Sequence, residues 1–338
     1  MYLCVKICLN VDEAIKKELL AYEYAFKKEV NRIYELFNVK GYVFEYAYKY
    51  FSKDISYNSK HLLLSCAKQK FELNKKGIDF SYPFSSYWSN SSYKINDEFI
   101  IVELGLARHR ETIKIPIYCN KQPLQRIAEG RAMNMKIVCR KGKWFAYIYV
   151  DYKVKQVTSE KVMGIDIGIK VPAVCATCEQ IKFFGSGREL RYLQRRYKKH
   201  IKEMQQRKQF KKLKSFEHKL NHVLNDYDHK IAREIVDFAI ANDIGIIKME
   251  NLTRIKMKFQ TYHNPNIYLW SYRRLQDYIE YKANLSGIKV VYINPYNTSK
   301  VCPRCGQINK AIDRDYRCKC GFHGHRDVVG AMNILQAL

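Results

Sequence analysis

Asp166 lies inside the apolar run VMGIDIGI, Glu250 closes the run IGIIKME, and Asp327 opens DVVGAMNIL. A carboxylate with buried neighbours on both sides must find a partner, because an unpaired buried charge is costly or changes its pKa. Taken singly, each acid has a plain structural explanation. Asp166 could cap a turn onto Gly168, Glu250 could face solvent at a strand end, and Asp327 could cap a helix. Taken together they are acids at two strand ends and a helix start, and such a trio can meet in ionised form only around cations. Oxygen ligands without His or Cys select Mg2+ or Mn2+. Two such ions about 4 Å apart activate a water on one side of a phosphodiester and stabilise the leaving oxygen on the other. Phosphodiester cleavage is therefore the chemistry this trio could perform.

A second set of residues suits a metal. Cys302, Cys305, Cys318 and Cys320 fall within nineteen residues, as C-x-x-C, a gap of twelve, and C-x-C. That is the spacing of a zinc ribbon, two knuckles clamping one tetrahedral Zn2+. Gly306 and Gly321 follow the knuckles, where backbone must turn tightly around the ion. A closed site of this kind is structural, and it would help fix where Asp327 points. Two thiolates one residue apart share an ion with less freedom, so His323 or His325 could stand in for one of them, Cys320 before Cys302. The other seven cysteines (Cys4, Cys8, Cys66, Cys119, Cys139, Cys175 and Cys178) are scattered through apolar, strand-like sequence. They suit buried thiols in a reducing compartment.

Charge narrows the partner. Sixty Lys and Arg stand against 33 Asp and Glu, a formal net charge of +27 on 338 residues. The excess calls for a polyanion, nucleic acid before an anionic membrane surface. Between Arg188 and Lys219 there are thirteen Lys or Arg against three Glu. Leu190, Leu193, Tyr197, Ile201 and Met204 form one apolar stripe on what reads as a single long helix. Arg191, Arg195, Arg196, Lys198, Lys199, Lys211 and Lys212 are then candidates to track phosphates. Tyr and Lys also interleave over 41–53, which could give stacking platforms, although Tyr is equally a core residue. No stretch approaches the ~18 apolar residues of a spanning helix, and the N-terminus lacks a secretory pattern. An intracellular protein is expected.

The elements that must position these residues follow from periodicity. Residues 1–9 read as a strand. From Val11, Ile15, Leu19, Tyr22, Phe26, Val30, Ile33 and Phe37 recur at helical steps. A second helix is expected around His61–Leu73, then a loop over SYPFSSYWSNSSYK, then β-structure from Glu98 to Tyr152. VKQVTSEK is a polar bridge and the candidate boundary. Beyond it come three strands with tight turns, the basic helix, a helix facing inward with Ile231, Ile235, Phe238 and Ala239, and the strand IGIIKME. A helix marked by Leu269, Tyr272, Leu275, Ile279 and Ala283 precedes the strand IKVVYINP. This is an α/β layout with a central sheet covered by helices.

GIDIGIK around Asp166, IKMENL around Glu250 and HRDVVGAMNIL around Asp327 resemble the three signature segments of a RuvC-type (RNase H-like) nuclease. With the cysteines just ahead of the third segment, the chain resembles the TnpB (OrfB) family of transposon-encoded RNA-guided endonucleases, related to the compact type V CRISPR effectors. YINPYNTSKVCPRCG and HKIAREIVDFAIAND add to the likeness. The resemblance is specific from about residue 160 onward. Two departures stand out, C-x-C for the usual second C-x-x-C and HRD for the commoner DRD. The resemblance implies that Asp166, Glu250 and Asp327 bind Mg2+ (or Mn2+) as the catalytic triad and that the four cysteines bind Zn2+. It implies an N-terminal β-barrel wedge domain over 1–155 with a helical recognition insertion at about 11–90. A RuvC-like nuclease domain would occupy 160–338, with the zinc ribbon inserted at about 298–324. The implied activity is cleavage of double-stranded DNA beside a short flanking motif. It would be directed by a guide RNA from the transposon end, with one chain on one RNA, in the prokaryotic cytoplasm at the nucleoid and away from membranes. Two other functions fit parts of the pattern: an RNA-guided DNA-binding repressor that no longer cuts, and a transposase performing strand transfer.

Overall fold

Strict alternation builds the first part of the chain. A computed structural model describes all residues except 1, 41–50, 52–54, 56, 76–85, 106–110, 169, 253–271, 310 and 338. The chain divides into two compact units, Met1–Lys153 and Val154–Leu338. In the first, strands run over β1 (Tyr2–Leu9), β2 (Ser86–Trp88), β3 (Tyr93–Ile95), β4 (Phe99–Leu104), β5 (Glu111–Tyr118), β6 (Arg131–Arg140) and β7 (Lys143–Asp151). Along β7 the residues Trp144, Ala146, Ile148 and Val150 are buried while those between them are not, the period of a half-buried strand. The order is β2-β6-β7-β1-β5-β4-β3, antiparallel throughout.

The two outer strands of this sheet are neighbours in sequence, joined only by Ser89–Ser92, so the sheet must curl until its ends meet. Trp88 Nε1 donates to Glu103 O at 2.8 Å and Tyr93 OH donates to Met133 O at 2.7 Å, fastening each end strand across the seam. This corrects the expected loop over SYPFSSYWSNSSYK. Of its described residues, Ser86–Trp88 and the start of β3 are strand, and Trp88 is 1% exposed. The serines that suggested a loop supply only the corner, where Ser92 N donates to Ser89 O at 2.9 Å.

The long helix is present as α1 (Glu13–Lys40), with Leu19, Tyr22, Phe26, Val30, Ile33 and Phe37 buried. Tyr22 stacks on Trp88 with ring centroids 4.7 Å apart. The second helix, α2 (Tyr57–Lys75), packs on α1 through Leu62, Leu63, Cys66 and Ala67. A short helix that the sequence did not announce, α3 (Lys121–Ala128), turns Leu124 and Ile127 to the core. The Tyr/Lys run 41–53 lies outside the described residues apart from Phe51, which is buried.

The second unit is a five-stranded mixed sheet of β8 (Val162–Asp166), β9 (Ala173–Ala176), β10 (Ile181–Phe184), β11 (Ile246–Glu250) and β12 (Lys289–Ile293). Its order is β10-β9-β8-β11-β12, with β8, β11 and β12 parallel and β9 and β10 antiparallel to their neighbours. The basic stretch is not one helix. It forms α4 (Gly187–Gln206) and the first part of α5 (Phe210–Ala241), broken at Lys208, whose φ is +54°. Leu190 packs with Leu220 and Leu224, and Tyr197 meets Phe216 at 5.0 Å, so the stripe that a single helix would expose is closed within a hairpin. The same α5 carries Ile231, Ile235 and Ala239 into the sheet core.

Helix α6 (Tyr272–Leu285) packs on α5, where Arg274 Nε donates to the buried Asp228 Oδ2 at 2.7 Å. The expected Leu269 lies outside the described residues. A two-stranded ribbon of β13 (Asp315–Arg317) and β14 (His323–His325) leads straight into α7 (Arg326–Gln336), which lies across β8 and β9. Among the described residues no helix is long and apolar enough to cross a membrane.

Candidate functional site

Strand alternation decides which side chains meet. On β8, Met163 and Ile165 join the core under α5 and α6, so Gly164 and Asp166 face the other way, toward α7. On β11, Ile247 and Met249 share that core, so Lys248 and Glu250 turn to the α7 side. The register sets Met249 beside Ile165, and one step further brings Glu250 to the level of Asp166 on the adjacent parallel strand. The third acid arrives on α7, whose first turn holds Asp327. All three residues that the sequence singled out therefore face one place.

The other two acids are felt at Asp166. Burial, followed by the Glu250 and Asp327 carboxylates, pushes the Asp166 carboxyl well above the ordinary aspartate range, while Arg326 and Arg314 pull it back. Burial also raises Glu250, against the Thr298 hydroxyl that donates to Glu250 Oε1. Asp327 Oδ1 pairs with Arg314 Nη1, whereas Asp327 Oδ2 is buried with no hydrogen-bond partner among the described residues. A buried carboxylate oxygen left without a donor, near the Asp166 carboxyl, is the kind of atom a divalent cation with oxygen ligands takes, although among the described residues only the four cysteines bring their ligand atoms within 4.8 Å of one another.

Close packing holds this geometry. A Cβ on Gly330 would sit 2.8 Å from Asp166 Oδ2 and 3.0 Å from its Cγ, and one on Gly164 would collide with Ala331 O and Leu335 N. The two glycines let α7 lie directly on β8. At the far end of α7, Lys248 Nζ donates to Ala337 O and, at 3.3 Å, to Leu335 O, placing a cation where the helix dipole is negative. The buried Gln276 donates to Glu250 O at 2.8 Å and fixes the end of β11. Thr298, Gln276 and Arg314 gave no signal in sequence. Each is a polar residue in a polar or amphipathic stretch, and only the fold brings it to the acids.

The cysteines converge as their spacing suggests. Sγ of Cys302 and Cys320 are 3.7 Å apart, those of Cys305 and Cys318 are 3.5 Å apart, and all four lie within 4.8 Å of one another. A tetrahedral ion with Zn–S near 2.3 Å puts its sulfurs about 3.8 Å apart, so the cluster could hold one Zn2+. Each knuckle is a hairpin tip, with Gly306 N donating to Cys302 O and Gly321 N to Cys318 O. Within the cluster the Cys320 backbone amide, chiefly, lowers the Cys318 thiol, whereas Cys305 is raised, the Gln307 amide being outweighed by burial and the neighbouring sulfurs. Both histidines are engaged elsewhere: His323 Nε2 pairs with Asp315, and His325 Nδ1 accepts Asp327 N at 3.3 Å as the N-cap of α7. The ribbon is joined to its surroundings by Tyr316 OH donating to Lys300 O at 2.9 Å and by Asn333 Nδ2 donating to Thr298 O and Val301 O at 2.6 and 2.8 Å.

The basic candidates lie on the hairpin. Arg195, Arg196, Lys198 and Lys199 are exposed on α4, and Lys211 and Lys212 are exposed in the first turn of α5. Arg191 is partly buried, and its Nε donates to Gly187 O at 3.0 Å.

Known proteins resemble parts of this chain. Residues 146–256, which include Asp166 and Glu250, match the family described as "Probable transposase" (OrfB_IS605). Residues 272–334, which include the cysteines and Asp327, match "Cas12f1-like, TNB domain". The CRISPR-associated endodeoxyribonuclease Cas12f1 of Sulfoacidibacillus thermotolerans is 32% identical over 259 residues, covering 69% of this chain and 60% of that protein. A TnpB-like protein of Methanocaldococcus jannaschii is 35% identical over 118 residues, 33% of this chain and 42% of that one. This chain thus spans less than two thirds of the length of either relative. In fold it is similar to the cryo-EM structure of a Cas12f1–sgRNA–target DNA complex, with a TM-score of 0.67 at 17% identity over 95% of this chain and 82% of that one. The acids, the cysteine ribbon and these matches lead to one conclusion: the chain carries a segment of the OrfB_IS605 family and a Cas12f1-like TNB domain, and it is similar to TnpB-like proteins and to the Cas12f1 endodeoxyribonucleases.

Proposed function

We propose that the chain is an RNA-guided, divalent-metal-dependent DNA endonuclease. The observation that carries this reading is that Asp166 on β8, Glu250 at the same level of the adjacent β11 and Asp327 in the first turn of α7 lie on one face of the sheet. Asp166, Glu250 and Asp327 would bind Mg2+ or Mn2+, which supply an activated water and stabilise the leaving oxygen of a phosphodiester. Thr298 orients Glu250, and the ribbon with its Zn2+ holds the start of α7 so that Asp327 faces β8. The Met1–Lys153 unit is read as the β-barrel wedge, its curled sheet carrying α1 and α2 as the recognition helices. The exposed cations of α4 and α5 would follow phosphates of the guide RNA or of the target duplex.

The partners would be a guide RNA from the transposon end and a double-stranded DNA with a short flanking motif, bound by one chain on one RNA in a prokaryotic cytoplasm. The test is cleavage by purified protein with its guide RNA, beside Asp166→Ala and Glu250→Ala. Each variant should bind guide and target as the parent does and cut at least about a thousandfold more slowly. Undiminished cutting by both would refute the triad, and joined rather than cut DNA would point to strand transfer.

A further inference from the structure

Two cations of the chain, Arg326 and Arg314, act on the acidic site, and Arg314 pairs directly with one of its acids. Arg314 lies in the segment between the two knuckles, next to β13, yet its Nη1 reaches Oδ1 of the buried Asp327. Its own carbonyl accepts Arg326 N at 2.9 Å, which ties the arginine's backbone to the start of α7. Its charge is also felt at Asp166, where it opposes the effect of the neighbouring carboxylates.

The pair is incompletely satisfied. Arg314 Nε and Asp327 Oδ2 are both buried and lack hydrogen-bond partners among the described residues, so the guanidinium engages the carboxylate through one nitrogen and one oxygen rather than as a fork. A monodentate, part-buried pair of this kind neutralises Asp327 without a metal but is weaker than a bidentate one.

We propose that Arg314 is an internal counter-ion of the acidic site, presented by the zinc ribbon, that competes with the divalent ion for Asp327. The inference rests on the reading of the three acids as an ion site. Arg314 is a positioning residue in this role. It keeps the acids assembled when no ion is bound and weakens ion binding when one is.

The test measures Mn2+ binding to the zinc-loaded full chain without nucleic acid, counting free Mn2+ by its paramagnetic signal. Arg314→Met, which keeps bulk and removes charge, should bind Mn2+ about tenfold more tightly, the size of effect one neighbouring charge has on an ionising group. It should also melt at a lower temperature than the parent without Mn2+ and recover more on its addition. Arg314→Lys should bind as the parent does. Asp327→Asn is the control for the site itself. Loss of Mn2+ binding in Asp327→Asn with unchanged affinity in Arg314→Met would overturn the counter-ion role alone. Unchanged binding in Asp327→Asn would overturn the ion site and the counter-ion together.

Discussion

A carboxyl group facing two others on the α7 side of β8 keeps its proton to a higher pH than a free aspartate would. The cause is first the loss of water around Asp166 and then the charges of Glu250 and Asp327. Because the folded chain binds this proton more tightly than the unfolded chain, the acids favour folding at low pH. That contribution is lost as pH rises from the ordinary aspartate pKa, near ~3.9, through the raised one. Melting of the protein without Mg2+ should therefore show a fall in stability over that window, and Asp166→Asn should flatten it. Added Mg2+ favours the ionised acids and should shift the acid limb of cleavage to lower pH as its concentration is raised. A melting curve equally steep in Asp166→Asn would show that the proton is not held there. At this scale the sequence was informative about the acids because alternation in VMGID and IIKME already puts Asp166 and Glu250 opposite the apolar positions. It was silent about Arg314, which sits in AIDRDYR and looks like any solvated turn residue.

The elements matter through how closely they lie. Helix α7 rests on β8 with glycine on both sides of the contact, Gly164 below and Gly330 above. Gly330→Ala would place a methyl group against the Asp166 carboxylate, and overpacking of this kind typically costs about 1–3 kcal/mol. Urea unfolding should show that loss, with cleavage reduced alongside it; wild-type values for both would mean that α7 has slack to shift. The strand and helix types were largely readable here because the apolar periods are long and clean. Breaks were not. The turn at Lys208 carries neither Gly nor Pro, so a residue with φ of +54° hides inside a run that otherwise scans as helix. The strands β2 and β3 are each three residues long and wrapped in serine, too short to show a period, and only the meeting of the sheet's two ends explains them.

For the whole molecule, the dominant fact is a formal net charge of +27. Such a chain should bind its RNA with an affinity that falls steeply with salt, because each phosphate neutralised releases counterions. Arg195→Glu with Lys199→Glu, both exposed on α4, should weaken RNA binding. The slope of log affinity against log salt should become shallower by about one for every phosphate that is no longer neutralised. An unchanged slope would place the RNA elsewhere on the surface. Composition announced this class of partner at once, since no local pairing can offset so large an excess. Where the polyanion lies was not announced. The hairpin packs Leu190, Tyr197 and Ile201 of α4 against α5 and leaves its cations outward, and that arrangement follows from a turn the sequence did not mark.

The seating of α7 has one further consequence. Its leading end grows without a linker out of β14, and its trailing end is gripped by Lys248 from the neighbouring sheet. A rod held at both tips must break the Lys248 bonds to ratchet along its own axis by a turn of about 5.4 Å, as helices in some switching proteins do. Side-chain rotation adjusts the gap between Asp166 and Asp327 without that cost, and the helix then serves as the ruler.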